Sequence, residues 1–209
     1  MRDILPVTDQ PILALADLAD PVGTWGRLCR WLTAGATTPT HPFRWPVLST
    51  VADDGGPDAR TVVLRRFDHA ARQLVFHTDV RSAKVTDLRR DARCTFLFYD
   101  ADDRLQMRVR AVAAIHHADD FARAEFAALP PHNRATYASV VVPGEVESTD
   151  APFVYPPKPP VDEAVSFGHF AAVACVIERI DALELHPSGH RRAVLEWNGA
   201  EVRIKRVGP

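Results

Sequence analysis

The hydrophobic pattern changes period near residue 46. Before that point Val22, Trp25, Leu28, Cys29 and Leu32 recur at helical spacing. Asp20-Pro21 in front of them reads as an N-cap followed by proline at the first helical position. The spacing predicts an amphipathic helix that ends before Gly35, and residues 36–46, with three prolines, read as a connection. From Pro46 the alternation is that of strands. It predicts strands over 47–51, 59–67, 73–78, 94–99 and 105–116, separated by turns at 53–56, 68–72 and 100–103. Between the third and fourth strands, Ser82 is placed to cap a short helix through Arg90.

Beyond the fifth strand the pattern returns to helix over 119–129. Pro130-Pro131 interrupts it, and a second short helix is predicted over 132–139. Residues 143–160 form a proline-rich excursion, with 156–160 extended. Strands over 170–180, 192–197 and 201–207 close the chain, the last two flanking the hairpin signal Asn198-Gly199. Seven or eight strands in hairpin-like succession predict a mainly β, antiparallel barrel or sandwich with appended helices. One core implies one domain over 1–209. It comprises an N-terminal helix and connection (1–45), core strands (46–116), helices and proline-rich excursion (117–169) and C-terminal strands (170–209).

Composition narrows the function. Lys and Arg number 25 against 27 Asp and Glu, a net charge of −2, which argues against a surface built for nucleic acid or anionic membrane. Cys29, Cys94 and Cys175 are far apart and form no CxxC pair, so free thiols are expected and no metal site is indicated. Residues 1–11 carry acids and prolines where a signal peptide needs an apolar stretch, and no apolar run is long enough to span a bilayer. The expectation is a cytoplasmic protein.

The second strand is chemically unusual. Arg60, Arg65 and Arg66 interrupt an apolar segment. Strict alternation would put Arg60, Val62, Leu64 and Arg66 on one face and Thr61, Val63, Arg65 and Phe67 on the other. Such arginines either reach solvent at the strand ends or line an anion pocket. His77-Thr78-Asp79-Val80-Arg81-Ser82-Ala83-Lys84 follows, where a strand ends and a helix begins. A helix start offers free N–H groups, and Thr78, Arg81, Ser82 and Lys84 add hydroxyls and cations: a phosphate cradle, or ordinary capping. Gln106 is a polar amide on the fifth strand that either faces solvent or meets a ligand.

RTVVLRRF, LVFHTDVRSAK and FLFYDADDRLQMRV, in that order and spacing, resemble the FMN-binding split barrel of the pyridoxamine 5′-phosphate oxidase-like proteins. The resemblance is firmest over 47–115 and looser beyond. It implies a split-barrel homodimer with FMN between the subunits. It implies that Arg60, Thr61, Val62, Val63, Leu64 and Arg65 line the flavin and reach its phosphate, and that His77 and Thr78 contact it. Ser82 and Lys84 fall in the family's Ser-Arg-Lys motif, where Ala83 replaces the arginine and Arg81 is the candidate substitute. Gln106 and Arg192 match the contacts to the flavin ring.

The family's substrate contacts carry over less well. Counting from the C-terminus, His190 is kept, and Ser188 stands where an arginine is expected. On the helical segment Glu125, Leu129 and Asn133 occupy positions of phosphate-binding Tyr, Arg and Ser, with Arg134 near enough to serve instead. Arg65 stands in place of a substrate lysine. The implied function is an FMN-dependent oxidoreductase acting on a small organic substrate other than pyridoxamine phosphate. Arg192 would steady the reduced flavin, and His190 is the candidate base or an exposed structural histidine. Alternatives are a non-catalytic flavin carrier, a binder of another phosphorylated ligand, or a genuine pyridoxamine 5′-phosphate oxidase with a rearranged site.

Overall fold

The computed structural model describes residue 13, residues 20–146 and residues 161–209. The reading of 1–11 and the extended segment 156–160 lie outside the described residues. Helix α1 (Pro21–Thr37) starts where expected, with the Asp20 carboxylate accepting from the Gly23 N–H at 2.9 Å. It runs past Gly35 rather than stopping before it. Gly35 lies inside the helix because a β-carbon there would stand 2.7 Å from Phe43, so this glycine serves a close approach and not a cap.

Among the described residues nine strands form one antiparallel sheet: β1 (Val47–Val51), β2 (Pro57–Thr61), β3 (Leu64–Asp68), β4 (Gln73–Asp79), β5 (Arg93–Asp100), β6 (Leu105–His116), β7 (Phe170–Glu184), β8 (Arg191–Asn198) and β9 (Glu201–Val207). Their order is β2-β1-β5-β6-β7-β4-β3, with β8 on β7 and β9 on β8. One edge of β7 is shared: residues 170–176 pair with β4, and residues 179–184 pair with β8. The sheet divides there, which is the split of the barrel.

The predicted second strand is two. The chain breaks at Val62-Val63, so β2 pairs with β1 while β3 crosses to β4. A register shift between Leu64 and Arg66 leaves Arg65 as the extra residue of a bulge. Leu64 and Phe67 therefore both face the core, against the strict alternation expected from sequence.

The barrel interior holds Leu48, Phe76, Phe96, Phe98, Met107, Val109, Val173 and Ile180, and α1 closes one end with Trp25, Leu28 and Leu32. A second, smaller apolar cluster lies outside the barrel, where α3 (Asp120–Ala127) and α5 (Glu163–His169) pack with Val75, Ala172 and Ala174, and α4 (Pro131–Ala135) lies beside α5. The segment 163–169 had no helical prediction. Helix α2 (Ala83–Arg90) connects β4 to β5. Among the described residues no helix is long and apolar enough to cross a membrane, and no group of His, Cys, Asp and Glu is arranged to hold a metal.

Candidate flavin site

Directly paired residues of neighbouring strands share a face. Arg60 pairs with Leu48, and Leu48 with Phe96, so Arg60 points to the barrel side. Thr78 alternates with the core residue Phe76 and points the same way. Here β4 ends, and α2 begins at Ser82. The Ser82 hydroxyl does not cap the helix; it donates to the Asp79 carbonyl at 2.7 Å and lies 3.2 Å from the Thr78 hydroxyl. The Lys84 ammonium donates to Thr78 Oγ1 at 3.2 Å. Arg60, Thr78, Ser82 and Lys84 thus gather as the sequence predicted.

Their electrostatics are uneven. Arg60 has carboxylates at hand: it pairs with Asp58, and Asp87 lies 3.6 Å away. Lys84 has no carboxylate within ion-pair distance among the described residues. Burial, and next the Arg60 charge, hold its ammonium below the ordinary lysine range. Thr78 and Ser82, buried beside it, supply hydroxyls. An incompletely compensated cation beside a second cation, buried hydroxyls and a helix start together suit an anion.

Arg81 does something else. Its guanidinium forks onto the Asp79 carboxylate at 2.9 and 2.6 Å and reaches the carbonyls of Ser139 and Val141. Its guanidinium is thus engaged by Asp79 and these carbonyls rather than by the hydroxyls beside Lys84. It occupies Asp79 instead, and so keeps that carboxylate from Lys84. Val62 and Leu64 are buried, with Leu64 in the core, so their side chains do not line a ligand groove. Thr61 is exposed and pairs with Val47, while Val63 is half-buried at the break between strands.

His77 departs from Thr78. It points to the outer face, where Nε2 lies 3.0 Å from Glu125 and the ring meets Phe170 edge-on. Glu125 also accepts from Arg66 Nε at 2.8 Å. Arg65, between these residues, has a buried Nε with no hydrogen-bond partner and no ion pair among the described residues.

Gln106 lies on the outer face too. It pairs with Tyr99 and Leu183, and Leu183 pairs with Arg192, which brings Gln106 and Arg192 onto one surface. Arg192 donates to Asp181 at 2.8 and 2.9 Å, and Arg108 shares that carboxylate. Those hydrogen bonds hold the Asp181 carboxyl below its usual range. Two guanidiniums on one carboxylate leave a net positive charge. This face stays open: Leu97, Tyr99 and Val176 are exposed, and a cavity of about 390 Å³ is lined by Thr95, Arg108, Arg110, Arg179 and Asp181. Arg60, Thr78, Ser82 and Lys84 therefore lie on one face of the sheet, and Gln106 and Arg192 on the other.

Residues 26–117 match the family described as pyridoxamine 5′-phosphate oxidase, FMN-binding domain. The pyridoxine/pyridoxamine 5′-phosphate oxidase of Caulobacter vibrioides is 35% identical over 111 residues, covering 53% of this chain and 46% of that one. Its counterpart in Nocardioides sp. is 34% identical over 138 residues, 63% of this chain and 62% of that one. The first of these matches spans under half of the relative's length. Among solved structures, an FMN-binding, pyridoxamine 5′-phosphate oxidase-related protein from Nostoc punctiforme superposes with a TM-score of 0.72 at 24% identity, covering 88% of this chain and 96% of that one. PhzG from Burkholderia lata, in complex with tetrahydrophenazine-1-carboxylic acid, gives 0.70 at 18%, covering 94% and 98%. At these identities the structural likeness shows the fold.

The chain has the split-barrel fold of these proteins, and its residues 26–117 resemble the pyridoxamine 5′-phosphate oxidase FMN-binding domain.

The positions that the resemblance assigns to the substrate are placed as follows in the fold. Leu129 is buried in the outer apolar cluster and offers no donor. Glu125, at the position of a phosphate-binding residue in the resemblance, is committed to His77 and Arg66. Arg134 pairs with Glu163 at 3.0 Å and lies over the Phe126 ring. Ser188 and His190 stand in the exposed loop between β7 and β8, and the Ser188 hydroxyl lies 2.7 Å from His186. Asp100, expected in an exposed turn, is buried, with its carboxylate accepting from the N–H groups of Asp102 and Asp103. Sequence reasoning missed Thr50, Asp87 and Asp181. The available signal was Asp87 at three residues after Lys84, one helical turn along α2.

Proposed function

We propose that this chain binds FMN and works as an FMN-dependent oxidoreductase on a small organic substrate other than pyridoxamine phosphate. The observation that carries the reading is Lys84, half-buried beside Arg60, which donates to the Thr78 hydroxyl and has no carboxylate within ion-pair distance among the described residues. The residues suit a phosphate tail: Lys84 and Arg60 supply charge, Thr78 and Ser82 supply hydroxyls. FMN, when bound, supplies hydride acceptance and return; the protein's part is binding, orientation and electrostatics.

The two-faced placement supports a homodimer. Arg60 and Lys84 lie on the barrel side, and Gln106 and Arg192 on the open outer face, so a second copy is the natural source of the second set for each flavin. In that assembly Arg192 and Arg108, sharing Asp181, place residual positive charge at the ring. Arg65, cationic at the bulge and without an ion pair among the described residues, is available to an anionic group of the substrate. His190, exposed in its loop, is the candidate for proton transfer once a partner covers it.

Pyridoxamine phosphate is disfavoured because Leu129 is apolar core, Glu125 is already paired and Ser188 cannot replace a guanidinium. The test is direct. The purified chain titrated with FMN should quench flavin fluorescence with affinity well above that for riboflavin. It should elute as a dimer, and it should oxidise pyridoxamine 5′-phosphate with kcat/KM below about 10⁴ M⁻¹s⁻¹. Equal affinity for FMN and riboflavin would end the reading.

A further inference from the structure

The Arg60 guanidinium is held from behind by a short chain of buried groups. Its NH1 donates to Thr50 Oγ1 at 2.6 Å, and the Thr50 hydroxyl donates to Asp87 Oδ2 at 2.8 Å. Thr50 is 3% exposed and Asp87 6%. Asp87 belongs to α2, the helix that also carries Lys84, and Thr50 belongs to β1, which pairs with β2 and so with Arg60. The three groups tie the sheet to the helix behind the cradle.

A threonine hydroxyl has one proton and two lone pairs. Asp87 is acceptor-only when ionised and takes that proton. Thr50 is then left with lone pairs alone toward Arg60, which can only donate. The direction of the chain, Arg60 to Thr50 to Asp87, is fixed by chemistry. Asp58 also holds Arg60, but its side chain is 49% exposed and the contact is screened by water. The buried anchor is the hydroxyl. With NH1 fixed on Thr50, the remaining N–H groups of the planar fork keep one orientation. A planar fork recognises an oxyanion only when so oriented.

We propose that Thr50, oriented by Asp87, is a positioning residue for the flavin phosphate, acting through Arg60 and touching no ligand itself. The inference rests on the FMN reading of the cradle.

The test compares FMN with riboflavin, since riboflavin lacks the phosphate and reports everything except the tail. Thr50→Val keeps the shape and removes the hydroxyl; Thr50→Ser keeps the hydroxyl. In fluorescence titrations Thr50→Val should weaken FMN about fivefold, the order of one lost hydrogen bond, and leave riboflavin unchanged, so the preference for phosphate narrows. Thr50→Ser should restore it. If Thr50→Val does not fold, Thr50→Ala, which also lacks the hydroxyl, carries the same expectation. A valine or alanine variant that is folded and keeps the wild-type FMN-to-riboflavin ratio would overturn this inference alone. So would a serine variant that fails to restore the ratio while Lys84→Ala still lowers it. A wild-type chain with no preference for FMN would overturn the inference together with the flavin reading.

Discussion

Arg60 and Arg66 look alike in sequence, as arginines of one basic, apolar-rich stretch, and the fold treats them in opposite ways. The break at Val62-Val63 and the bulge at Arg65 send them to different surfaces. Arg66 goes to the outer face, where Glu125 accepts from it and lies 3.0 Å from His77, while Phe121 stacks below its guanidinium. That cluster is self-contained: its charge is answered within the chain. Arg60 goes to the barrel side, where it stands beside Lys84, and Lys84 has no carboxylate partner among the described residues. Basic residues by themselves identify neither surface. What distinguishes a binding site from an internal ion cluster is whether the chain supplies the counter-charge.

The comparison breaks most visibly at Glu125. Glu125→Ala would leave Arg66 and the buried His77 without their shared acceptor. Losing one partner of a buried ion cluster costs about 3–5 kcal/mol. Arg66 is 37% exposed and can recover water, so about 2–3 kcal/mol is expected here. Denaturant unfolding should register that loss with the slope unchanged, and the FMN-to-riboflavin ratio should stay at its wild-type value. A ratio that collapses in this variant would mean that the outer cluster belongs to the flavin site.

Lys84→Ala is the mirror experiment. It removes a cation that burial and Arg60 already disfavour, so folding stability should hold or rise slightly. FMN affinity should fall about ten- to a hundredfold, the range of a lost charge-assisted contact of about 1.5–3 kcal/mol. Equilibrium titration at fixed ionic strength reads it. A loss of stability with FMN affinity intact would make Lys84 a structural residue like Arg66.

Much of this contrast was legible before the structure. The strands over 47–51, 105–116 and 201–207 follow from alternation, and the gathering of Thr78, Ser82 and Lys84 from the strand-to-helix turn, while Arg60 beside them is what the family resemblance implies. The bulge was not legible, because period-two counting has no term for an extra residue, and so Leu64 and Phe67 were assigned to opposite faces. Gly35 misled for a related reason: a glycine near a helix end reads as a stop, whereas this one is dictated by Phe43 from a distant turn. His77 and Thr78 are neighbours in sequence, but adjacent strand residues point apart, so they could not share a cradle. The pairing of Arg81 with Asp79 is not legible either, because it depends on a turn whose conformation the sequence does not specify.

Arg81 gives the smaller effect. Arg81→Ala frees the Asp79 carboxylate, which already acts on Lys84 through space. FMN affinity should fall only about threefold, within the range of a partly exposed pair of about 0.2–1 kcal/mol, and the difference should shrink with added salt. A loss as large as that of Lys84→Ala would reinstate Arg81 as a phosphate ligand and remove its role as the occupant of Asp79.

The finest test concerns the protonation of the outer cluster. Burial, ahead of the opposing pull of Glu125 and helped by the charges of Arg65 and Arg66, holds His77 below the ordinary histidine range. The hydrogen bond from His77, ahead of those involving Arg66, holds Glu125 below the ordinary carboxylate range. In each case the unfolded chain binds more protons than the folded chain, so both contributions diminish on acidification. The His77 contribution is present above about pH 6.5, the unfolded histidine value, and is lost as the pH falls toward the folded value; the Glu125 contribution is lost below about pH 4.3. Unfolding free energy followed by denaturant titration should therefore start to decline just below pH 7, and His77→Gln should flatten that first limb while leaving the one below pH 4.3. The sign decides between two pictures of the same 3.0 Å contact. A neutral imidazole donating to Glu125 gives declining stability between pH 7 and 5.5. An imidazolium paired with Glu125 would give stability that rises on acidification over that interval, with Glu125 answering His77 and Asp68, 3.7 Å from Arg66, sharing the Arg66 charge.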